Sequence, residues 1–296
     1  MMNRPTPRTV AQLVTAHRQR EGGGFIVRRP FPTAGMSMVD PFLMLDEMGP
    51  VDYAPGEAVG APDHPHRGFE TVTYMLEGET EHEDSAGHRG VLSAGDVQWM
   101  TAGAGVVHSE MPSQAMREGG GRMHGFQIWV NLPKRDKMMA PRYQELASAK
   151  LPTAQSEDGR ARVRVIAGEA LGVRAAIETR TPIVYQDWTV QPGGRIEQPI
   201  PAGYRAFVYV FGGEVRVGED GTAVRDGQLA VLSDAGETVT LAAAPDAKGA
   251  ARFLLLGGVP IREPVVQYGP FVMNTEAEIR QAIADYQAGR MGQIAR

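Results

Sequence analysis

The sequence predicts an all-β protein that contains two copies of one β-unit and ends in a short helix. The 296 residues include 36 Gly and 21 Pro, which are spread along the chain. Such a spread is typical of many short strands joined by tight turns. Stretches rich in Val, Thr and aromatic residues recur in both halves, and one residue pattern occurs twice. These residue types favour strands, and a repeated pattern indicates a repeated structural unit.

The composition limits the class of protein. Hydrophobic residues make up 42% of the chain and charged residues 22%, so the chain can bury a core. The net charge of -5 gives no general attraction to nucleic acid, and we expect no direct nucleic-acid partner. The absence of Cys excludes disulfides and zinc-thiolate sites and permits a reducing compartment. No run reaches the ~18 apolar residues of a membrane span, and residues 1–24 lack the apolar stretch of a signal peptide. We therefore expect no membrane association and a cytoplasmic location.

Strand predictions follow a polar N-terminal segment at residues 1–24. Residues 70–76 (ETVTYML) are rich in Thr, Val and Tyr and predict a strand. Residues 90–100 predict a pair of strands around a turn, and residues 125–131 (GFQIWVN) predict another strand.

The predicted domain boundary lies where the composition changes, between residues 132 and 158. Pro and charged residues replace the strand-like pattern there, and we interpret the stretch as a connection with a helical turn near residues 143–146. This division gives an N-terminal domain at 25–140 and a C-terminal domain at 141–296.

A helix is predicted at residues 275–288. Thr275 and Glu278 have the spacing of a capping box. Ile279, Ala282, Ile283 and Tyr286 then follow the spacing of one helix face, so we interpret the helix as a packing element.

The internal repeat relates HPHRGFETVTYMLEGE, which starts at His64, to PIPAGYRAFVYVFGGE, which starts at Pro199, at an offset of 135. Further along, at an offset of 132, His108 aligns with Thr240. The second copy has Pro, Thr and Ala where the first has three His and one Glu, so it lacks the ligands for a similar metal site.

Two pairs of residues predict a metal site in the first copy. His64 and His66 are separated by one residue, and 42 residues after His66 the pair His108 and Glu110 repeats this spacing. Residues i and i+2 of a strand point to one face, so each pair can direct two ligands at one ion. Three imidazoles and one carboxylate suit Fe(II), Mn(II), Ni(II), Cu(II), Co(II) or Zn(II), and they leave coordination positions open for a substrate.

Other polar residues have several interpretations. Glu70 could be a ligand, a carboxylate behind the ligands, or a catalytic base; Glu110 is preferred as the ligand because its spacing copies the first pair. His82 and His88 are predicted to be solvated in a hairpin loop, and His17 to lie on the surface. His124 is a core residue or a partner that orients a ligand. The pair Arg28-Arg29 is predicted to be solvated.

The motifs together resemble one family. HPHRGFETVTYMLEGE, GDVQWMTAGAGVVHSEMP, GFQIWVNLP and QYGPFVMNTEAEI closely resemble sequences of pirin and bacterial pirin-like proteins of the cupin superfamily. The resemblance runs from about Arg28 to the C-terminal helix. It implies two cupin-type, jelly-roll-like β-barrel domains, of which the first binds a metal and the second is degenerate. It also implies iron, Fe(II), as the metal, held by His64, His66, His108 and Glu110, whereas Glu70 is not generally a ligand in pirins.

The resemblance implies two functions of different classes. The first hypothesis is a dioxygenase of the quercetin 2,3-dioxygenase type, which uses Fe(II) and O2 on a flavonol-like, enolic or catecholic aromatic substrate. In that reaction Glu110 or Glu70 accepts the proton of the substrate hydroxyl, and carbon monoxide is released. The alternative is an iron- or redox-dependent regulator that binds a transcriptional or metabolic partner protein. Fold-level resemblance alone does not decide between them.

Overall fold

The computed structural model describes residues 6–295, and most of its regular structure is β-strand. Strand accounts for 53% of the structure and helix for 8%, which confirms the all-β prediction. The strands in chain order are β1 (Val10–Thr15), β2 (His17–Glu21), β3 (Phe25–Phe31), β4 (Phe42–Tyr53), β5 (Ala61–His66), β6 (Phe69–Glu77), β7 (Thr80–Asp84), β8 (Arg89–Leu92), β9 (Val97–Thr101), β10 (Val106–Pro112), β11 (Gly121–Asn131), β12 (Arg142–Leu146), β13 (Thr153–Gln155), β14 (Ala161–Ala167), β15 (Glu169–Ala170), β16 (Val173–Arg174), β17 (Ile183–Val190), β18 (Arg195–Pro199), β19 (Arg205–Gly212), β20 (Glu214–Val217), β21 (Thr222–Arg225), β22 (Gln228–Leu232), β23 (Thr238–Ala242), β24 (Ala251–Gly258), β25 (Val266–Tyr268) and β26 (Phe271–Met273). The helices are α1 (Gln114–Gly119) and α2 (Glu276–Gln287), and short 3-10 helices lie at Lys134–Asp136 and Ser148–Lys150.

Residue contacts divide the chain into two compact units. Within the described residues, the N-terminal unit comprises His17–Met38, Phe42–Lys150 and residues 261–295, and the C-terminal unit comprises residues 6–16, Val39–Pro41 and Leu151–Pro260. These units differ from the predicted sequence domains at both chain ends. Strand β1 belongs to the C-terminal unit, whereas helix α2 belongs to the N-terminal unit. The boundary between residues 140 and 141 stays a prediction of sequence domains.

Each unit contains one seven-stranded and one four-stranded antiparallel sheet. In the N-terminal unit the strand orders are β12-β9-β6-β11-β4-β3-β2 and β5-β10-β7-β8. In the C-terminal unit they are β1-β22-β19-β24-β17-β14-β13 and β18-β23-β20-β21. Because β5, β10, β7 and β8 correspond in order to β18, β23, β20 and β21, the topology confirms the internal repeat.

The strand register corrects one position of the predicted repeat alignment. His64 of β5 pairs with His108 of β10, whereas Pro199 of β18 pairs with Thr238 of β23. The residue equivalent to His108 by pairing is therefore Thr238 and not Thr240. The sequence offset changes between the two halves of the repeat, so a sequence alignment alone misplaces the strand-pairing partner by two residues.

The alternation of side chains along the strands builds both cores. In β18, Ile196 and Gln198 are buried, while the three residues that alternate with them are exposed. Every residue from Phe69 to Met75 in β6 is buried because both faces of that strand are covered. The fully buried Val72 stabilises the fold by ~1.5–3 kcal/mol, as is usual for an aliphatic side chain. Thr73, on the opposite face of β6, lines a cavity.

The three strand predictions between residues 70 and 131 are confirmed by β6, by β8 with β9, and by β11. The helical turn predicted at residues 143–146 is wrong, because Arg142–Leu146 forms strand β12 and pairs with β9. The polar N-terminal segment also contains strands β1 and β2. Strands β1, β2 and β12 all lie at sheet edges, where exposed and polar residues weaken the alternating pattern. Residues 1–5 of that segment lie outside the described part of the chain.

Helix α2 begins as predicted. The Thr275 hydroxyl accepts a hydrogen bond from the Glu278 amide at 3.2 Å, and α2 ends at Gln287, two residues before Gly289. Its apolar face contributes Ile279 and Ala282 to a buried cluster with Phe271. Within residues 6–295, no helix has both the length and the apolar character that crossing a membrane requires.

Candidate metal centre

Three imidazoles meet where β5 and β10 pair. His64 and His66 lie on β5, and His108 lies on β10 directly opposite His64. The ring centroids are 4.3 Å apart for His64 and His108, 4.7 Å for His64 and His66, and 4.9 Å for His66 and His108. One ring nitrogen from each His lies within 4.8 Å of the other two. The spacing of one residue between His64 and His66 thus places both rings on the same side of the strand.

Backbone carbonyls fix the orientation of two of these rings. The Pro62 carbonyl oxygen lies 2.7 Å from Nδ1 of His64, and the Pro270 carbonyl oxygen lies 3.3 Å from Nδ1 of His66. A carbonyl only accepts, so Nδ1 carries the proton in both rings. Nε2 of each ring then keeps its lone pair for an ion, and this arrangement is the usual one for metal-binding His.

His108 supports the fit of a metal ion most directly. Its side chain is buried, and neither ring nitrogen has a hydrogen-bond partner in the protein. Buried polar atoms without partners are costly and call for an explanation such as a bound ion. Two nitrogens at ~2.1 Å from one zinc-sized ion are at most ~4.2 Å apart. The three His within 4.8 Å of one another therefore need to close only slightly around an ion.

Burial keeps the imidazoles of His66 and His108 neutral. It lowers the pKa of His66 and of His108 well below 6.5, and the neighbouring imidazoles lower both values further. Neutral imidazole is the form that binds metals, so the two rings are ready to act as ligands without losing a proton.

Glu110 lines the same cavity as His64 and His66, but its carboxylate lies outside the three-His group. The Thr73 hydroxyl lies 2.8 Å from Oε1 of Glu110, and Gln127 donates from Nε2 to Oε2 at 3.4 Å. The pairing of β10 with β5 shifts between His108 and Glu110. A β-bulge redirects side chains, and this shift explains why the regular spacing alone did not predict the position of the carboxylate. The role of Glu110 as a ligand stays a prediction.

Thr73 and Gln127, which hold Glu110, were not among the residues singled out from the sequence. Each is a polar residue inside an otherwise buried strand, Thr73 in β6 and Gln127 in β11. An isolated polar residue in such a strand is a usable signal, because buried polar groups need partners.

Glu70 lies apart from the three-His group. It is 1% exposed, and its Oε1 accepts a hydrogen bond from the Thr101 hydroxyl at 2.6 Å. Glu70 is absent from the residues that line the cavity with His64 and His66. Its position favours a structural carboxylate over a base that meets substrate, and a catalytic role for it stays untested.

The prediction for His82 is wrong. His82 lies on β7 rather than in a loop, and it is 0% exposed. It pairs with Glu110 of the neighbouring strand β10, and its ring lies 5.4 Å from that of His108. Buried and partly exposed residues alternate along Thr80–Asp84, and the charged neighbours of His82 made the segment resemble a solvated loop. His88, by contrast, has a side chain that is 57% exposed, as predicted.

His124 and the two arginines pair with buried carboxylates: His124 and Arg28 share Glu47, and Arg29 pairs with Asp46. His124 is buried, and its Nε2 lies 2.8 Å from Oε1 of Glu47, which confirms a core His with a partner. Arg28 donates to both oxygens of Glu47, and Arg29 donates to both oxygens of Asp46. The prediction of solvated arginines is therefore wrong, since bidentate pairs hold both side chains against the sheet. His17 is exposed, as predicted.

A cavity of about 480 Å³ is lined by two of the three imidazoles, His64 and His66. Ligand cavities in proteins typically measure ~300–1,000 Å³, so this one can hold a small organic molecule. Trp129 lies 5.2 Å from the His66 ring and gives the cavity an aromatic surface, and the Phe69 ring packs against it at 4.3 Å. Arg29 and Asp46 add polar side chains from strands of the same sheet. The cavity thus combines an open three-His group with a surface that suits an aromatic ring.

The C-terminal segment of the N-terminal unit holds the residues that follow His66. Arg67 donates to the Ala104 carbonyl at 2.6 Å and to Oδ2 of Asp285 in α2 at 2.7 Å. The Val272 amide donates to the Arg67 carbonyl at 3.1 Å. Lys137 is 1% exposed and donates to the carbonyls of Gly68 and Val272. The residues directly after the strand that carries two imidazoles are therefore fixed by distant parts of the chain, and Asp285 is 218 positions from Arg67.

Loss of the Arg67–Asp285 pair is expected to weaken metal binding. In Asp285→Asn the buried Arg67 guanidinium loses its charged partner, and the His66 backbone loses support. We expect metal affinity to fall by roughly 10-fold, within the range found for partners that orient ligands. Competition with a chelator measures the affinity.

Glu276→Gln is the matched control for Asp285→Asn. Glu276 lies on the same helix and pairs with Arg280, but both side chains are exposed. Exposed pairs contribute little, so this variant is expected to bind metal as the wild type does. Equal affinities for Asp285→Asn and the wild type would show that α2 does not support the site.

The stability of the metal-free protein is expected to fall as the pH drops below ~6.5, the ordinary pKa of His. Burial, the largest cause in each case, lowers the pKa of His66, His82 and His108. The unfolded chain then binds more protons than the folded protein, so stability present above pH ~6.5 is lost on acidification. Burial raises the pKa of Asp46 to about 6, so in the folded protein this carboxyl takes up a proton at higher pH than in the unfolded chain. Its contribution to stability has the opposite sign, but it is one group, whereas three His lose stability on acidification.

Urea unfolding of the metal-free protein at several pH values tests this pH dependence. A slope of the order of 1 kcal/mol per pH unit is expected below pH ~6.5. A stability that stays flat or rises on acidification in that range would contradict the neutral, buried state of His66, His82 and His108.

The fold and the site together define a two-domain cupin protein with a three-His centre that can hold a metal ion. The sequence profile named Pirin matches residues 24–130, and the profile named Pirin C-terminal cupin domain matches residues 185–292. The chain therefore belongs to the pirin family, as its motifs predicted. A pirin-like protein of Solanum lycopersicum is 48% identical over 97% of this chain and 94% of its own length. Pirin of Homo sapiens is 44% identical over 94% of this chain and 92% of its own length.

The chain is also similar in structure to a protein described as an enzyme. The crystal structure of quercetin 2,3-dioxygenase from Acinetobacter baumannii superposes with a TM-score of 0.90 at 37% identity. The match covers 98% of this chain and 100% of that protein. The prediction of two cupin-type domains is therefore confirmed.

Proposed function

We propose that the protein is a metal-dependent dioxygenase of the quercetin 2,3-dioxygenase type. The substrate class is a flavonol or a related enolic or catecholic aromatic compound, and O2 is the second substrate. The observation that carries this proposal is the three-His group, of which His64 and His66 line a cavity of about 480 Å³. The similarity to the A. baumannii quercetin 2,3-dioxygenase supports the same reaction.

Fe(II) is the metal that we propose, with Mn, Ni, Cu, Co or Zn as alternatives for the same ligands. His64, His66 and His108 would hold it, with Glu110 as the fourth ligand. When bound there, such an ion supplies a Lewis acid that lowers the pKa of a substrate hydroxyl. The three imidazoles and one carboxylate leave positions open, as a catalytic site requires.

Glu110 is the residue that we propose as the base. Its two carboxylate oxygens give it the capacity to serve as both ligand and proton acceptor. The Thr73 hydroxyl and the Gln127 amide hold the carboxylate at the cavity wall, which reduces the cost of orienting it for proton transfer. The proton comes from the flavonol 3-hydroxyl, next to the ring carbonyl. Both atoms of O2 enter the ring-opened ester, and one ring carbon leaves as carbon monoxide.

Aromatic and polar side chains of the cavity would orient the substrate. Trp129 offers a flat face for an aromatic ring, which favours offset stacking. Arg29 and Asp46 also line the cavity and can donate or accept hydrogen bonds to ring hydroxyls. These side chains support the proposal of a polyhydroxylated aromatic substrate over an aliphatic acid.

Oxygen consumption tests the proposal. Protein depleted of metal and reloaded anaerobically with Fe(II) is mixed with quercetin in an oxygen electrode cell, and carbon monoxide is measured in parallel. We expect equimolar consumption of O2 and release of carbon monoxide. A fully loaded protein that consumes no O2 with quercetin, other flavonols or catechols would contradict the proposal. The same assay with each alternative metal identifies the ion that supports turnover.

A further inference from the structure

A second, smaller cavity lies on the other side of Glu110. It measures about 40 Å³, and its walls include the apolar side chains of Ile26, Val51, Val59 and Met123. Phe25, Met48, Ala61 and Glu110 line both this cavity and the larger one that contains His64 and His66. The two cavities therefore adjoin, with Glu110 at their common wall. We call the smaller one the side pocket.

The size of the side pocket limits what it can hold. A cavity needs ~10–15 Å³ by this measure to hold one water molecule, and an engineered apolar cavity of ~150 Å³ binds benzene or xenon. At about 40 Å³ the side pocket is larger than a single water requires and much smaller than the benzene cavity. A flavonol ring does not fit, but a diatomic molecule does.

The polarity of the side pocket favours an apolar occupant. Three of its four polar side chains already have partners. The Thr73 hydroxyl lies 2.8 Å from the Glu110 carboxylate, and the Thr80 hydroxyl contacts the sulfur of Met75 at 3.9 Å. A bound water needs two to four polar partners, and cavities without them stay dry. The fourth polar residue, Tyr53, contributes a mostly apolar ring.

We propose that the side pocket is a binding site for dioxygen, from which O2 reaches the metal centre past Glu110. This inference rests on the proposed dioxygenase function. An organic substrate stacked on Trp129 would fill the larger cavity, whereas Ile26, Val51, Val59 and Met123 line only the side pocket, which would stay open. The pocket thus supplies the second substrate after the first has bound.

Xenon binding tests the pocket without any need for activity. Crystals of the metal-free protein are exposed to xenon under pressure, and xenon is located by its anomalous scattering. We expect a xenon site in the side pocket of the wild type and none in Val59→Phe, whose larger side chain fills the pocket. Val91→Phe is the matched control, because Val91 is 52% exposed on β8, outside both cavities, and this variant should keep the site. Xenon only elsewhere in the wild type would overturn the proposal.

Steady-state kinetics of the Fe(II)-loaded protein tests the role in O2 supply. In Val59→Phe we expect KM for O2 to rise roughly threefold or more, with kcat and KM for quercetin unchanged, as is typical when only ground-state binding is lost. Ile26→Trp adds bulk at another residue that lines the pocket and provides a second variant if Val59→Phe is unstable. Ile26 is 40% exposed, so a larger side chain is tolerated there.

The outcomes separate this inference from the proposed function. Unchanged KM for O2 in both filled variants, with normal quercetin turnover, would overturn the side pocket as an O2 site and leave the dioxygenase proposal intact. A xenon site in a protein that never consumes O2 would overturn the dioxygenase proposal and, with it, the assignment of the pocket to O2.

Discussion

His66→Ala is expected to abolish stable metal binding and to reduce oxygenase activity to background. His66 is one of three imidazoles whose nitrogens lie within 4.8 Å of one another, and its Nδ1 is already held by Pro270. Loss of a partner that merely orients a ligand costs ~10–100-fold in affinity, and loss of the ligand itself should cost more. Elemental analysis after dialysis against a chelator measures the retained metal.

The fold should survive this substitution. The ring of His66 lies at the cavity wall beside Trp129, so its removal enlarges an existing cavity rather than a closed core. Thr240→Ala in the C-terminal unit is the control, because the repeat has no imidazoles at the equivalent strands. That variant should lose ~1 kcal/mol with the hydrogen bond from Arg195 and retain full metal content. Full metal retention in His66→Ala would place the ion elsewhere.

Glu110→Gln is expected to lower kcat by ~10²–10⁴-fold, the usual contribution of a positioned base. Glutamine keeps the shape of the side chain and removes the charge, so it cannot accept the substrate proton. Metal affinity should also fall, since a neutral amide is a weaker ligand than a carboxylate. Turnover at saturating Fe(II) separates the two effects.

Glu70→Gln applies the same chemical change to the other candidate base. Glu70 is buried beside Thr101 and lies outside the residues that line the large cavity. We expect this variant to lose some stability, because its buried hydrogen bond is altered, but to retain metal and kcat. The reverse pattern, with kcat lost in Glu70→Gln and kept in Glu110→Gln, would assign the base to Glu70.

The sequence was sufficient to predict the features that depend on strand periodicity. His64 and His66 share a face because they are two residues apart in one strand, and no tertiary information is needed for that conclusion. The strand at Phe69–Glu77 and the cap at Thr275 also follow from local residue preferences. Local rules therefore predicted these elements and the shared face of His64 and His66, whereas the position of His108 opposite His64 depends on strand pairing.

Features that depend on strand register and distant contacts could not be predicted. The shift in pairing between His108 and Glu110 is a property of two strands, and it decides where the carboxylate lies. The burial of His82 depends on β7 lying beside β10. The ion pair between Arg67 and Asp285 joins residues 218 positions apart, so no local sequence pattern predicts it.

Anomalous diffraction from a crystal of the Fe(II)-loaded protein, recorded on both sides of the iron absorption edge, tests the central claim most directly. The account predicts one full-occupancy iron bonded to His64, His66 and His108, with Glu110 rotated to bind it and open positions toward the large cavity. Iron bound at any other place, or no iron after anaerobic loading with the three imidazoles intact, would contradict it.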